Sequence, residues 1–385
     1  MAGIDVIAAL QRRYQEFFAT DAAVPFAVAS AGSPAHVFGT GEPVFTIEVK
    51  DQRGAKALAK LDQFAVAVAY LQGWLDVHGD LAAALKMRAF FRDFHPIKFL
   101  ARFTPAAILR GRKEDDRRAI AKHYDEESEF FLTFLDHRHR CYTEGVFASD
   151  DEPLEDAMTR KMDLAIDAIG VKPGDRVLEV GGGWGAFAEY AARRGIDVTT
   201  MTLSRESERY LLDLFDRERL PVKVVRQHIF GYQSDQRYDA IVNMGVTEHL
   251  PDYRTTLRKY AELLRPGGRV YLDALAMRRK HGVSTFMKRY IYPGNSAPLL
   301  LHQYLKHVAH SPFELLSVQD DRHNYFLTCR EWARRLDEAR EEVVERWGDP
   351  LYRRFRLFLW GSAAGFDTGM VQAYRWVLTL PRNPA

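Results

Sequence analysis

Cysteine and long apolar runs are scarce in this sequence. Only Cys141 and Cys329 occur among 385 residues, which is too few for a disulfide framework, and no signal peptide is recognisable, so we expect a cytoplasmic protein. No run of 18 or more apolar residues occurs, which excludes a membrane-spanning helix and leaves only peripheral contact with the inner face of a membrane. The formal net charge is +2, which gives no reason to expect a nucleic acid as partner.

The composition is that of a globular protein with room for two domains. The chain is 47% hydrophobic and 28% charged, and its length suits two domains. Residues 1–110 mix helical and strand-like runs without a catalytic constellation, so we expect a small α+β accessory domain. The basic and aromatic run described next is the reason to expect that this domain binds lipid. Residues 111–385 alternate strands and helices, and we expect an insertion at about 277–325 to lie over the active site.

A basic and aromatic run at 84–113 leaves two interpretations open. Five phenylalanines alternate there with eight lysines and arginines. Such a segment suits an interfacial helix that dips its aromatic rings into lipid and keeps its charges among anionic head groups. It suits equally well an interdomain helix that packs on the core and extends its charged tips into solvent.

A glycine turn is the most informative stretch of the second domain. A strand at 177–180 leads into Gly181-Gly182-Gly183-Trp184-Gly185, and a helix at 186–194 and a strand at 196–201 follow. This order predicts the opening βαβ unit of a doubly wound, mostly parallel α/β sheet, which is a Rossmann-like fold. Glycines at the end of the first strand allow a ligand to approach the backbone.

The turn fits two kinds of ligand. Read as G-x-G-x-x-A, with Ala186 in the third place, it is a dinucleotide fingerprint, but such a site needs an acid about 20 residues further on. The second strand instead ends in Thr202-Leu203-Ser204. Read as G-x-G-x-G, the turn suits the amino-acid end of S-adenosylmethionine, which has no pyrophosphate to place at a helix N-terminus. S-adenosylmethionine is therefore the predicted cofactor.

Two later segments place acids at strand ends. A buried strand at 238–244 precedes Glu248, and after a Pro266-Gly267-Gly268 turn a strand at 269–274 carries Asp273. Parallel strands share one carboxyl edge, so we expect both acids to lie near the glycine turn.

Several motifs in order make the chain resemble the family of cyclopropane fatty acyl phospholipid synthases and mycolic acid cyclopropane synthases. The resemblance covers nearly the whole chain. The motifs are HYD and EFF within 123–131, VLEVGGGWGAFA at 177–188, TLS at 202–204, EH at 248–249, LLRPGG at 263–268, KRYIYPG at 288–294, Tyr325-x-x-Thr328 with Trp332, and FLWGSAAGF at 358–366.

The resemblance implies a class I S-adenosylmethionine-dependent methyltransferase that methylates the cis double bond of a phospholipid acyl chain. Methyl transfer leaves a carbocation, and in the family a bicarbonate held by Cys, Glu, His and Tyr takes the proton. Carried over to this chain, the Glu is Glu248 and the Tyr is Tyr325. The Cys position is Glu144 and the His position is Asp273, and acids do not cradle an anion.

We interpret these changes as a base built into the protein. Glu144 could take the anion's place and accept the proton itself, and the crowded acids Glu144, Glu248 and Asp273 should raise the pKa of at least one of them. After a hydride shift, proton loss from the new methyl group gives a methylene branch, which a separate reductase could saturate. A true cyclopropane synthase, a small-molecule methyltransferase of the same fold and a non-catalytic lipid-binding protein are the alternatives.

The resemblance and the turn together predict the cofactor-binding residues. They are Tyr142, Thr143, Gly181, Gly182, Gly183, Trp184, Gly185, Thr202, Leu203, Ser204, Ser207, Gln227 and His228. The resemblance also suggests a homodimer formed through the N-terminal domain.

Two further groups of residues are candidate sites. His123, His137 and His139 with Cys141 match no zinc pattern, so no metal is predicted. Aromatic residues of the insertion either line an acyl tunnel, which we favour, or pack in the core; they are Phe286, Tyr290, Tyr292, Tyr304, Phe313 and Tyr325.

Overall fold

A computed structural model describes residues 6–18, 24–30, 32–92, 128–279, 283–292 and 297–382. These residues form two sheets, each with its own hydrophobic core. The predicted boundary at residue 110, the basic and aromatic run from residue 93 onward and His123 lie outside the described residues.

The first sheet has the strand order β2-β1-β3-β4, with β1 and β3 parallel and the other pairs antiparallel. Aspartates begin three of its helices: the side chains of Asp51, Asp62 and Asp80 accept hydrogen bonds from the first-turn amides of α2, α3 and α4. The elements are α1 (Val6–Phe17), β1 (Phe26–Ser30), β2 (Ser33–Phe38), β3 (Phe45–Val49), α2 (Gln52–Ala59), α3 (Gln63–Leu71), β4 (Leu75–Gly79), α4 (Leu81–Lys86) and a 3₁₀ turn (Met87–Phe90).

The second sheet has seven strands in the order β10-β11-β9-β8-β5-β6-β7. Strands β5 to β9 are parallel, and β11 runs antiparallel between β9 and β10. The elements are α5 (Ser128–Leu132), α6 (Leu154–Ile169), β5 (Arg176–Val180), α7 (Ala186–Ala192), β6 (Asp197–Thr202), α8 (Arg205–Arg217), β7 (Lys223–Arg226), β8 (Tyr238–Met244), α9 (Tyr253–Leu263), β9 (Leu264–Ala276), α10 (Leu301–Ala309), β10 (Glu314–Asp320), α11 (Arg322–Glu338), α12 (Arg340–Trp347), α13 (Asp349–Asp367) and β11 (Gln372–Thr379).

This sheet confirms the predicted fold class. The chain runs outward from β5 through β6 to β7 and then returns to the other side of β5 through β8. Ligands of doubly wound sheets bind at this reversal, at the carboxyl ends of the strands.

One local prediction was wrong. Pro266-Gly267-Gly268 is not a turn before a strand but part of β9, which begins at Leu264. The Gly267 amide donates to the Leu380 carbonyl over 2.6 Å, and the Leu380 amide donates to the Gly268 carbonyl over 2.9 Å. The pairing of β9 with β8 shifts its register between Tyr238 and Ala240. This irregularity accommodates the proline–glycine segment within the sheet.

The two sheets are joined through helix α13. The Arg353 guanidinium donates to Asp76 Oδ2 over 2.9 Å and to the Tyr70 carbonyl over 3.2 Å. Arg356 reaches the Tyr70 hydroxyl at 3.1 Å, and Lys86 pairs with Asp367 at 2.5 Å. These contacts hold the N-terminal sheet and its helices against α13.

Candidate active site

A cavity of about 130 Å³, which we call the donor cavity, lies at the carboxyl ends of β5, β6 and β8. The predicted cofactor-binding residues line it, with Gly185 as the exception. Those in its wall are Tyr142, Thr143, Gly181, Gly182, Gly183, Trp184, Thr202, Leu203, Ser204, Ser207, Gln227 and His228.

The glycine turn is shaped by the strand beside it. The amides of Gly181 and Gly182 both donate to the Met201 carbonyl, over 3.0 and 2.8 Å. A Cβ on Gly182 would stand 2.3 Å from Thr200 Oγ1, whereas a Cβ on Gly183 would meet no protein atom within 4 Å. Gly182 is therefore required by strand packing, and Gly183 leaves its backbone open towards the cavity.

The segment after β6 holds the turn from the other side. Ser204 Oγ caps α8 by accepting from the Ser207 amide over 3.1 Å. Ser207 Oγ in turn donates to the Gly183 carbonyl over 2.7 Å. Gly185 lies behind the cavity, where its φ of +86° and a Cβ position 2.7 Å from Leu214 Cδ2 account for the glycine.

Three further groups make the donor cavity fit an amino-acid ligand. Trp184 Nε1 is buried and has no hydrogen-bond partner among the described residues, so a ligand carboxylate could accept from it. Arg140 and Glu179 also line the cavity, although sequence reasoning did not single them out. Burial raises the pKa of Glu179 to about 7, and its carboxyl accepts from Thr200 Oγ1 over 2.5 Å. These groups fit the amino and carboxyl ends of S-adenosylmethionine.

A second, mostly apolar cavity of about 320 Å³, which we call the acyl cavity, lies next to the first. Glu248 and Tyr325 line it, and the Tyr325 ring stacks on Phe366 with the ring centres 4.7 Å apart. Of the insertion aromatics, Phe286 and Tyr292 also line it. Tyr304 and Phe313 instead belong to the hydrophobic core, and Tyr290 stacks on Phe64 at 6.2 Å.

The two cavities share part of their walls. Tyr142, Thr143, Gly245 and His249 line both of them, and we call these four residues the junction. Burial lowers the pKa of His249 to about 4, so its imidazole is neutral near pH 7. His249 therefore adds no positive charge close to a cationic methyl donor.

Glu248, which lines the acyl cavity, has one carboxylate oxygen without a hydrogen-bond partner among the described residues. Its Oε1 accepts from the Leu275 amide over 2.5 Å. Its Oε2 is buried and has no hydrogen-bond partner within the described parts of the chain. Burial raises the pKa of Glu248 to about 7, against the lowering effect of backbone hydrogen bonds. A carboxyl of this pKa suits general-base work near neutral pH.

Glu144 and Asp273 form a separate, fully buried cluster with Lys161. Neither acid lines either cavity. Lys161 Nζ lies 2.8 Å from Asp273 Oδ2 and 3.3 Å from Glu144 Oε2, and it also donates to Thr143 Oγ1. The three charged side chains are at most 1% exposed. We call Glu144, Lys161 and Asp273 the buried cluster.

The pKa directions in the buried cluster follow from burial and mutual charge. Burial, and then the charge of Asp273, raises the pKa of Glu144 well above its usual value, against the opposing effect of Lys161. Burial alone would lower the pKa of Lys161, but Asp273 and Glu144 outweigh it and raise that pKa. The lysine is therefore charged, and Glu144 readily holds a proton.

The sequence analysis did not single out Lys161, although the spacing of apolar residues along α6 places it on the buried face of that helix. Lys161 lies on α6 in register with the residues that this helix buries, which are Leu154, Ala157, Met158, Met162, Ala165 and Ile169. A lysine on the buried face of an amphipathic helix needs a partner, so the pattern could have indicated a buried acid opposite it.

Helix α11 positions the segment that carries Glu144. The Gly145 amide donates to Thr328 Oγ1 over 2.9 Å, and the Phe147 amide donates to Asn324 Oδ1 over 3.0 Å. Next to this segment Asp321, which is 1% exposed, pairs with Arg375 at 3.3 Å.

No group of three or more His, Cys, Asp or Glu side chains among the described residues is arranged to hold a metal ion. No helix that the structure describes combines the length and the apolar character needed to cross a membrane.

Comparison with known proteins places the chain in a family. The family model described as mycolic acid cyclopropane synthetase matches residues 111–376. A tuberculostearic acid methyltransferase of Mycobacterium tuberculosis, UfaA1, is 30% identical over 69% of this chain and 66% of its own length. A sphingolipid C9-methyltransferase of Candida albicans is 26% identical over 80% of this chain and 64% of its own. The chain thus spans about two thirds of the length of these two relatives.

A solved structure agrees with this placement. The cyclopropane synthase MmaA2 of Mycobacterium tuberculosis superposes with a TM-score of 0.64 at 25% identity, over 68% of this chain and 98% of its own. The family model covers well over half of the 385 residues. The chain therefore belongs to the mycolic acid cyclopropane synthetase family, which comprises S-adenosylmethionine-dependent methyltransferases.

Proposed function

We propose that this protein transfers a methyl group from S-adenosylmethionine to the cis double bond of an unsaturated phospholipid acyl chain and releases a methylene-branched product. The observation that carries the proposal is the junction, where the donor cavity and the mostly apolar acyl cavity share Tyr142, Thr143, Gly245 and His249. Relatives named as fatty acid and sphingolipid methyltransferases support a lipid acceptor.

The residues of the acyl cavity and the junction act by positioning the acceptor and by excluding water. When bound, S-adenosylmethionine supplies an electrophilic methyl group. The apolar wall of the acyl cavity holds an alkene against the junction, where its π electrons form the new carbon–carbon bond as the carbon–sulfur bond breaks. The aromatic faces of Tyr142 and Tyr325 can stabilise the carbocation left on the acyl chain. His249, being neutral, does not oppose it.

The carbocation must then lose one proton to a base. A hydride shift moves the charge to the methylated carbon, and loss of a proton from the new methyl group leaves a methylene double bond. The sequence assigns the base to Glu144, whereas Glu248 presents an unpaired oxygen to the acyl cavity in this structure. We propose that this pair of carboxyls provides the base and that no bicarbonate is needed.

The remaining parts of the proposal concern the setting of the enzyme. The acceptor is a phospholipid at the inner membrane surface, the enzyme is cytoplasmic and peripheral, and a separate reductase saturates the methylene group. The predicted homodimer would form through the N-terminal domain. The apolar acyl cavity is the observation that supports a lipid acceptor.

The test is mass spectrometry of esterified fatty acids after incubation with S-adenosylmethionine and dioleoyl phosphatidylglycerol vesicles in bicarbonate-free buffer. We expect a methylene-branched ester, with a rate that rises with pH through about 7 as Glu248 loses its proton. A cyclopropane product that appears only on adding bicarbonate would contradict the built-in base and favour a true cyclopropane synthase.

A comparison of Glu144→Gln with Glu248→Gln determines which of the two carboxyls accepts the proton. Each keeps the size of the side chain and removes its basicity. The variant that retains binding of S-adenosylhomocysteine but loses turnover identifies the proton acceptor. Full activity of both variants would refute a glutamate base.

A further inference from the structure

The acyl cavity continues deep into the N-terminal domain, away from the junction. Its walls there are apolar residues of the small sheet and its helices: Phe26, Phe45, Ile47, Ala67, Val77 and Leu81. The family model begins at residue 111, so it assigns no role to this half of the cavity.

Helix α3 supplies an apolar surface to this half. Its sequence, QFAVAVAYL, has no charged residue, and a helix that is apolar all round is normally buried all round. Residues 63–68 are nevertheless only half-buried, and Phe64, Val66 and Ala67 face the cavity. An apolar wall left open in this way is suited to an apolar ligand.

Two cationic residues line the acyl cavity. Arg88 and Lys288 are the only arginine and lysine among the described residues that line it, and one comes from each domain. The Arg88 carbonyl accepts from Gln63 Nε2 over 2.8 Å, and the next residue, Phe64, stacks on Tyr290 in the turn that carries Lys288. The two cations therefore lie where the domains meet.

We propose that the N-terminal half of the acyl cavity binds the second acyl chain of a diacyl phospholipid. The phosphate lies at Arg88 and Lys288, and the chain to be methylated extends towards Glu248. A diacyl phospholipid has the matching shape, because two apolar chains diverge from one anionic group. A single-chain lipid would leave the α3 wall uncovered. This inference rests on the proposed function.

The experiment compares lipids with one and two chains in the same neutral detergent micelle. The substrates are dioleoyl phosphatidylglycerol and 1-oleoyl lysophosphatidylglycerol, and the variant is Ala67→Trp, which fills the N-terminal half. Because overpacking of a binding pocket commonly costs a factor of about ten, we expect KM for the diacyl lipid to rise about tenfold. KM for the monoacyl lipid should change less than twofold. Ala35→Trp, on the exposed edge strand β2, is the matched control and should behave as wild type.

Activity on the monoacyl lipid also shows whether the Ala67→Trp variant is folded. If it is not, Ala84→Phe repeats the test, because Ala84 on α4 also lines the cavity. Equal losses on both lipids, or no loss on either, would overturn the second-chain site. Absence of methyl transfer by the wild-type protein to either lipid would instead refute the proposed function. Arg88→Gln should weaken binding of dioleoyl phosphatidylglycerol but not of dioleoylglycerol, and equal weakening would exclude a phosphate contact.

Discussion

Removal of Lys161 should destabilise the protein strongly, by an amount that depends on pH. Lys161→Met keeps the length of the side chain but leaves Glu144 and Asp273 without the cation that lies 3.3 and 2.8 Å from them. Breaking a fully buried pair from one side typically costs about 3–5 kcal/mol, because the remaining charge is uncompensated. We expect a loss of that size in the free energy of unfolding at pH 8.

The pH dependence has a definite sign. Without the lysine, whose charge lowers it, the pKa of Glu144 in the folded state rises further above that in the unfolded state. The folded variant then binds more protons than the unfolded chain, so its stability is retained at low pH and lost as pH rises. The destabilisation relative to wild type should therefore be smaller at about pH 5 than at about pH 8.

Urea unfolding at the two pH values measures this effect. Lys172→Met is the control, because Lys172 is exposed just beyond the same helix, and it should change the free energy of unfolding by less than about 0.5 kcal/mol. Adding Asp273→Asn to Lys161→Met should recover part of the loss. A cost below about 1 kcal/mol that does not vary with pH would refute the role of Lys161 as the counter-ion of these acids.

Three further predictions address the cavities and the domain contact. Gly245→Ala places a Cβ 2.6 Å from Thr143 Cγ2 at a φ of +67°, so it should narrow the junction and lower kcat by about tenfold or more; an unchanged kcat in steady-state assays would contradict this. Trp184→Phe removes the unpaired Nε1 donor and should weaken S-adenosylhomocysteine binding by about tenfold in calorimetry, whereas equal affinity would remove Trp184 from the ligand contacts. Arg353→Ala breaks the link to Asp76 and should reduce methylation of dioleoyl phosphatidylglycerol while leaving S-adenosylhomocysteine binding unchanged; loss of both would point to general unfolding.

Many of the predicted cofactor-binding residues line one cavity, and these residues lie close together in sequence. The turn at 181–185, the end of β6 at Thr202 and the following Ser204 belong to one βαβ unit, whose geometry is nearly fixed by strand and helix periods. Gly185 shows the limit of such reasoning. Its positive φ serves the start of α7 and its contact with Leu214, and a glycine pattern alone does not separate this role from ligand contact.

The acyl cavity could not be predicted from the sequence to the same extent. Its wall combines the N-terminal sheet with α13 and the insertion, and their relative placement depends on contacts between residues far apart in the chain, such as Arg353 with Asp76. No local period encodes such contacts. The aromatic residues of the insertion also have different positions that no local period distinguishes. Tyr292 lines the cavity, whereas Tyr304 packs in the core between Tyr253 and Trp376.

The charge balance of the buried cluster gives a reason why two acids occur there together. Lys161 with one carboxylate would be a neutral pair in which neither group is free to take a proton. With both Glu144 and Asp273 present, one acid can neutralise the lysine while the other gains or loses a proton. The nearby Arg375 adds no excess positive charge, because Asp321 pairs with it at 3.3 Å. The buried cluster therefore has two acids against one base, so it offers no net positive charge to an anion such as bicarbonate.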